Sequence, residues 1–296
     1  MSAAAVERIA HDYLEVRGLV VDFDGFHAVD GVDLTVTKGD LRFLIGPNGA
    51  GKTTIIDAIT GLTKATGSAV FGVELLGMAT HRIVRAGVGR TFQTASVIED
   101  LTVLQNLDIA AGMRRRRLTL LRARKSTPPE VTAALETIGL AEHADKRAGT
   151  LAHGQKQWLE IGMLLVQDAR LLLLDEPVAG MSAEERQQTG ELLQHIAQTR
   201  TIVVVEHDME FLRSFADSVT VLHQGKVIAE GSVAEVQADP KVIEVYLGPS
   251  ETFAPAAERP PKERPKVTGP SRPVATAPEK FRPPRKITPP TGGADA

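Results

Sequence analysis

Gly46-Pro47-Asn48-Gly49-Ala50-Gly51-Lys52-Thr53 carries, within eight residues, the glycines, the lysine and the hydroxyl of a phosphate-binding loop. The glycines let the backbone curl so that successive N–H groups point at an anion, and a helix opening at Lys52 adds its positive end to the same spot. Lys52 then supplies a full charge for the outer phosphates, and Thr53 a hydroxyl for Mg²⁺. The flanks agree. A short apolar run from Leu41 to Ile45 precedes the loop, and Ile55, Ile56, Ile59 and Leu62 follow it at helical spacing. Strand, loop and helix thus come in the order that phosphate binding requires.

Around this loop, composition sets bounds. With 296 residues, 43% of them hydrophobic, the chain has material for a full core. No run of about eighteen apolar residues is present, and Met1 to Val6 lacks the basic and apolar regions of a secretory signal, so a cytoplasmic location is expected. Zero cysteines exclude disulfides, thiolate metal sites and cysteine nucleophiles. The net charge of -3 hides an asymmetry: residues 249–296 carry nine Lys or Arg against five Asp or Glu, which leaves the remainder at -7. An acidic main domain argues against nucleic acid as a partner.

Leu14 to Phe23 and Val32 to Val36 read as strands, with Gly25 and Gly31 marking the connection between them. Ser68 to Leu76 reads as another short strand pair. From about Leu101 the pattern turns helical, through Val103, Leu104 and Leu107 and then Val131, Leu135 and Ile138, closed by Gly139. The β signal returns at Leu171 to Leu174, Ile202 to Val205 and Val219 to Leu222 with helical stretches between, the alternation of a parallel sheet covered by helices. The last forty-eight residues hold twelve of the seventeen prolines and few large apolar side chains, so a disordered, basic, Pro-rich tail is expected over 249–296.

Hydrolysis needs a metal anchor and a group that orients water. Leu171 to Leu174 reads as a buried strand delivering Asp175 and Glu176 at its carboxyl end, where open α/β sheets bind ligands. Asp175 is the expected Mg²⁺ partner, and Glu176 the carboxylate that polarises the attacking water. Ile202 to Val205 ends likewise at Glu206-His207-Asp208, so His207 is expected to reach the γ-phosphate from the neighbouring strand end.

This constellation resembles the ATP-binding-cassette ATPases over residues 14 to 248. Leu151-Ala152-His153-Gly154-Gln155 stands where that family carries its signature, Arg90-Thr91-Phe92-Gln93 matches the glutamine loop, and Leu173-Leu174-Asp175-Glu176-Pro177 the second phosphate-site motif. The resemblance implies an α/β fold with a RecA-like parallel sheet core, an antiparallel β layer and a helical subdomain at about 94–167, within an ATPase domain spanning 12–248. It implies adenine stacking on Phe23, phosphate contacts from Gly46 through Lys52, Thr53 and Thr54, and Gln93 beside Thr53 and Asp175 at the Mg²⁺. It also implies a head-to-tail dimer, in which Ala152, His153, Gly154 and Gln155 face the ATP held by a second ATPase subunit. In that arrangement Gln155 opens an amphipathic helix whose positive end, with Gly154, meets the partner's γ-phosphate.

Within the family the wording is similar to importers of the branched-chain amino acid type, and among them to the urea importers, through Val21 to Phe26, His153 to Met163, Asp175 to Met181 and Val242 to Gly248. That likeness implies two permease chains, an external binding protein and a peripheral place on the cytoplasmic face of the membrane, with urea as cargo. An amino-acid importer, a lipid exporter, a soluble non-transport ATPase and a regulatory nucleotide-binding module are the alternatives. Two positions depart from the family pattern. Ala152 lacks the usual signature hydroxyl, and Ser182 stands where many relatives have aspartate. Arg114 to Arg117, with Arg122, Arg124 and Lys125, forms a basic cluster that reads as a solvated face or a contact for anionic headgroups.

Overall fold

A computed structural model describes residues 13–92, 96–112 and 127–247. In chain order the first elements are β1 (Leu14–Phe23), β2 (Phe26–Val36), β3 (Leu41–Ile45), α1 (Lys52–Ile59), β4 (Thr66–Val70), α2 (Thr80–Arg85), β5 (Val88–Arg90) and α3 (Val103–Gly112). After them come α4 (Pro129–Thr137), α5 (His153–Val166), β6 (Leu171–Asp175), α6 (Ala183–Ala197), β7 (Thr201–Val205), α7 (Met209–Phe215), β8 (Ser218–His223), β9 (Lys226–Gly231) and α8 (Val233–Ala238).

Two sheets form. The larger has the order β5-β6-β7-β3-β8-β9, parallel throughout except for the antiparallel β9 at its edge, and the smaller is an antiparallel β2-β1-β4. Every residue of β3, β6 and β7 is buried, because layers cover both sheet faces and each strand must be apolar on both sides. Their residues are dealt alternately, as the two-residue period demands. Leu44, Leu171, Leu173, Val203 and Val205 pack with α1 and the smaller sheet. Leu41, Phe43, Leu172, Leu174, Ile202 and Val204 pack with α6 and α7 on the opposite face. A third cluster joins Val103, Leu107, Val131, Leu135 and Leu159, so α3, α4 and α5 share a core of their own.

The connection between β1 and β2 is shorter than the sequence implied. Phe23 pairs with Phe26 across a two-residue turn at Asp24 and Gly25, both with positive φ, the Asp-Gly hairpin that suits strand twist. Gly31 lies inside β2, where φ is +73° and the pairing slips between Leu19–Val32 and Val20–Asp30, so it marks a bulge rather than a loop. Beyond β4, a single bridge from Val70 to Glu74 stands in place of the expected second strand. The basic cluster at Arg114 to Arg117 and the tail from Pro249 lie outside the described residues.

Candidate active site

Strand register assembles the site. Leu44 of β3 pairs with Val205 of β7, and Val205 pairs with Asp175 of β6, so the carboxyl ends of three adjacent strands lie in one row. The phosphate loop leaves the first of these ends, Glu206 and His207 leave the second, and Asp175 and Glu176 close the third. Glu206 and Leu44 thus meet at one edge, the Glu206 N–H donating to the Leu44 carbonyl, although they are far apart in the chain, as the doubly wound topology requires.

The loop is shaped by close backbone approach. At Gly46, with φ of +154°, a Cβ would lie 2.2 Å from the carbonyl oxygen of Leu222, so no other residue fits there. Gly51 is the N-cap of α1 and offers no side-chain cap, which leaves the leading N–H groups of the helix facing the loop interior. Lys52 turns its Nζ onto the carbonyl oxygens of Gly46 and Pro47 at 2.7 and 3.1 Å. Burial holds its ammonium below the usual lysine range, against the opposing pull of Glu176 and Asp175. The lysine therefore lies within electrostatic reach of both predicted carboxylates.

Asp175 is 2% exposed, and its carboxyl is raised chiefly by burial, opposed by the Arg90 guanidinium and by a hydrogen bond from Thr53. Its Oδ1 is buried with no hydrogen-bond partner among the described residues. A buried carboxylate oxygen left unpaired is costly unless a cation takes it, so Asp175, whose carboxyl also accepts a hydrogen bond from Thr53, fits Mg²⁺ together with that hydroxyl. Among the described residues no group of three or more His, Asp or Glu stands close enough together to hold a metal ion. Gln93, expected as a third ligand, lies outside the described residues.

Glu176 adopts a left-handed backbone, φ +49°, rare for a residue with a side chain, and its N–H donates to the Val205 carbonyl at 2.9 Å. This bends the chain at the strand end and leaves the carboxylate 3.5 Å from His207 Nδ1. The two predicted groups therefore meet. Glu206, beside them, plays a part that the sequence reading missed. It is 1% exposed and accepts backbone N–H groups of His207, Asp208 and Val178 at 3.0, 3.3 and 3.4 Å, tying the ends of β6 and β7 together. Its strand-end position was legible, but nothing in the sequence told an inward carboxylate from an outward one.

Phe23 is 50% exposed at the tip of the hairpin in the smaller sheet. That sheet abuts the phosphate loop, since a Cβ on Gly51 would come 2.5 Å from the Ala28 carbonyl oxygen. An exposed ring on a sheet that touches the loop is of the kind that stacks on a base.

The signature residues open α5, but the helix begins at His153 rather than at Gln155. Ala152 is the N-cap and has no acceptor, so only the return half of a capping box exists, with the Ala152 N–H donating to Gln155 Oε1 at 3.2 Å. The turn starts early because Gln155 stabilises it from within. Gly154 is buried, with Glu185 Oε1 standing 2.9 Å from where a Cβ would be, while His153 Nε2 lies 3.1 Å from the Ala179 carbonyl oxygen. Ser182, the other departure, caps α6 in a complete capping box with Glu185.

A family model described as ABC transporter matches residues 29–179, and one described as Branched-chain amino acid ATP-binding cassette transporter matches 226–248. The high-affinity branched-chain amino acid transport ATP-binding protein BraF of Pseudomonas aeruginosa is 38% identical over 252 residues, covering 79% of this chain and 97% of that protein. LivG of Escherichia coli, with the same description, is 35% identical over 248 residues, covering 79% and 97%. The solved ADP conformation of MJ1267, an ATP-binding cassette of an ABC transporter, superposes with a TM-score of 0.69 at 33% identity, covering 79% of this chain and 98% of that one. A nucleotide-free cassette from an ABC transporter does so with a TM-score of 0.67 at 31% identity, covering 79% and 98%.

Proposed function

Because the chain belongs to the ATP-binding-cassette transporter ATPases, we propose that it is the subunit whose MgATP hydrolysis drives an importer of branched-chain amino acids. The observation that carries this is the meeting of Lys52 with the Asp175–Glu176 strand end and His207 at one sheet edge.

On this reading the N–H groups of Gly46 through Thr54 wrap the phosphates, and Pro47, Asn48, Gly49 and Ala50 shape the turn. Lys52 exchanges the loop carbonyls for the outer phosphates, and Phe23 stacks on adenine. Thr53 and Asp175 would hold the Mg²⁺, with Gln93 as a further contact. Bound there, the metal would neutralise phosphate charge. Glu176 orients and polarises the attacking water, and His207, beside it, meets the γ-phosphate. The amino end of α5, with Ala152, His153, Gly154 and Gln155, faces the ATP of a second ATPase subunit. Because Ala152 offers no hydroxyl, a hydrogen bond worth roughly 1.5–3 kcal/mol is missing there. A heterodimer whose other subunit brings an intact signature fits this chain better than a homodimer.

We take residues 12–248 as the ATPase unit, with 94–167 as its helical part and 249–296 as an appended tail. No helix among the described residues is long and apolar enough to cross a membrane. The transport step therefore calls for two permease chains, with this subunit peripheral on their cytoplasmic side and an external binding protein delivering cargo. The comparisons lend no support to urea as cargo and favour the amino-acid alternative, since the relatives compared above are described as branched-chain amino acid transport proteins.

Uptake by the assembled importer in vesicles is the test. ATP-dependent entry of labelled leucine is expected; entry of urea alone would replace the cargo, and an assembled complex without ATP turnover would overturn the subunit's role.

A further inference from the structure

Arg90 ends β5, and its neighbour Thr91 makes two bonds to the strand that carries Asp175. The Thr91 N–H donates to the Leu173 carbonyl at 3.0 Å, and the Asp175 N–H donates to Thr91 Oγ1 at 3.3 Å. The guanidinium is 9% exposed and touches three elements at once. Nη1 meets the Asp57 carboxylate and, at 3.4 Å, Thr60 Oγ1, on and just beyond α1. Nη2 lies 3.6 Å from Asp175 Oδ2, and the fork lies 5.0 Å from the Phe92 ring centroid. Arg90 thus engages one oxygen of Asp175, and the other, Oδ1, is the buried atom with no partner among the described residues.

We propose that Arg90 is a positioning residue for the metal site: by holding Asp175 Oδ2 while anchored on α1 through Asp57, it keeps Oδ1 open for the metal and fixes the spacing between the phosphate loop and the metal-bearing strand. A carboxylate rotates about one bond, so securing one oxygen aims the other. A planar fork engages Asp57 and Asp175 together, whereas the single ammonium of lysine satisfies one of them at a time. The device rests on the nucleotide-site reading above, because it acts on the Thr53–Asp175 pair.

The test uses the full chain with Mn²⁺ as probe, read by electron paramagnetic resonance in the presence of ATP, beside ATP affinity measured with the metal chelated. Arg90→Met is expected to weaken Mn²⁺ binding about tenfold and to change metal-free ATP affinity less than twofold. Should Arg90→Met fold poorly, Arg90→Lys carries the test, with roughly threefold weaker Mn²⁺ binding and an unchanged melting temperature. Mn²⁺ affinity within twofold of the parent in the folded variant would overturn the proposal. So would an equal loss of metal-free ATP binding, since general loosening of the site moves both. If the parent itself binds no Mn²⁺ with ATP, the nucleotide-site reading fails and this inference with it; if the parent binds and the variants match it, only this inference fails.

Discussion

β3 carries a buried charge cluster near its start and the phosphate loop at its end, and the two are built on opposite terms. At the start, Arg42 donates to Asp40 at 3.0 Å, Thr220 at 2.9 Å and Glu230 at 2.7 Å, while Ser218 takes the other Asp40 oxygen at 2.7 Å. That network is closed. At the far end Asp175 keeps an oxygen without a partner, Arg90 a buried Nε likewise, Lys52 rests on loop carbonyls, and Glu176 sits in a left-handed backbone. Burial without full pairing is costly, so a fold retains it where a ligand will complete the pairing. Charge at the start of the strand serves stability, and charge at its end serves chemistry.

Glu176→Gln should break the chemical end alone: turnover falls about a thousandfold while nucleotide binding and the unfolding midpoint hold, as phosphate-release and denaturation assays would show. Loss of stability to match would erase the contrast. Arg42→Met should do the reverse. Leaving Asp40 buried without its cation costs about 3 kcal/mol in denaturant melts, with activity per folded molecule unchanged.

Glu160 sharpens the comparison because it combines both characters. It is 4% exposed on α5, accepts the N–H groups of Phe92 and Ser96 at 3.4 and 3.3 Å through Oε1, and leaves Oε2 without a partner among the described residues. Burial pushes its carboxyl up to about 7 from 4.5. The unfolded chain sheds this proton near 4.5 while the folded chain keeps it to about 7, so the contribution to stability is complete below 4.5 and lost as pH rises through 7. Glu160→Gln removes that loss, and the variant should exceed the parent by about 3 kcal/mol above neutrality and match it in acid. Parallel pH–stability curves would refute it.

The smallest effect is expected at the signature. Ala152→Ser completes the capping box with Gln155, adding about 1 kcal/mol to stability. In the assembled pair it should also raise turnover about tenfold. No gain in rate would remove the idea that the two composite sites are unequal.

The phosphate loop, the acidic strand end and the family were legible in the sequence, because the chemistry that they serve needs neighbouring residues. A loop that aims consecutive N–H groups at an anion, and a strand that ends in its ligands, are contiguous by construction. The bulge at Gly31 and the early start of α5 escaped that reading, since pairing register and a side chain folding back three residues leave no periodic trace. The charge networks escaped it more completely. Arg42 reaches a partner 188 positions away, and Arg90 one 33 positions away, with nothing local to mark either. Which buried charges close on each other and which stay open for a ligand was decided only when strand order brought them together, because pairing depends on distance in space and the sequence records only distance along the chain.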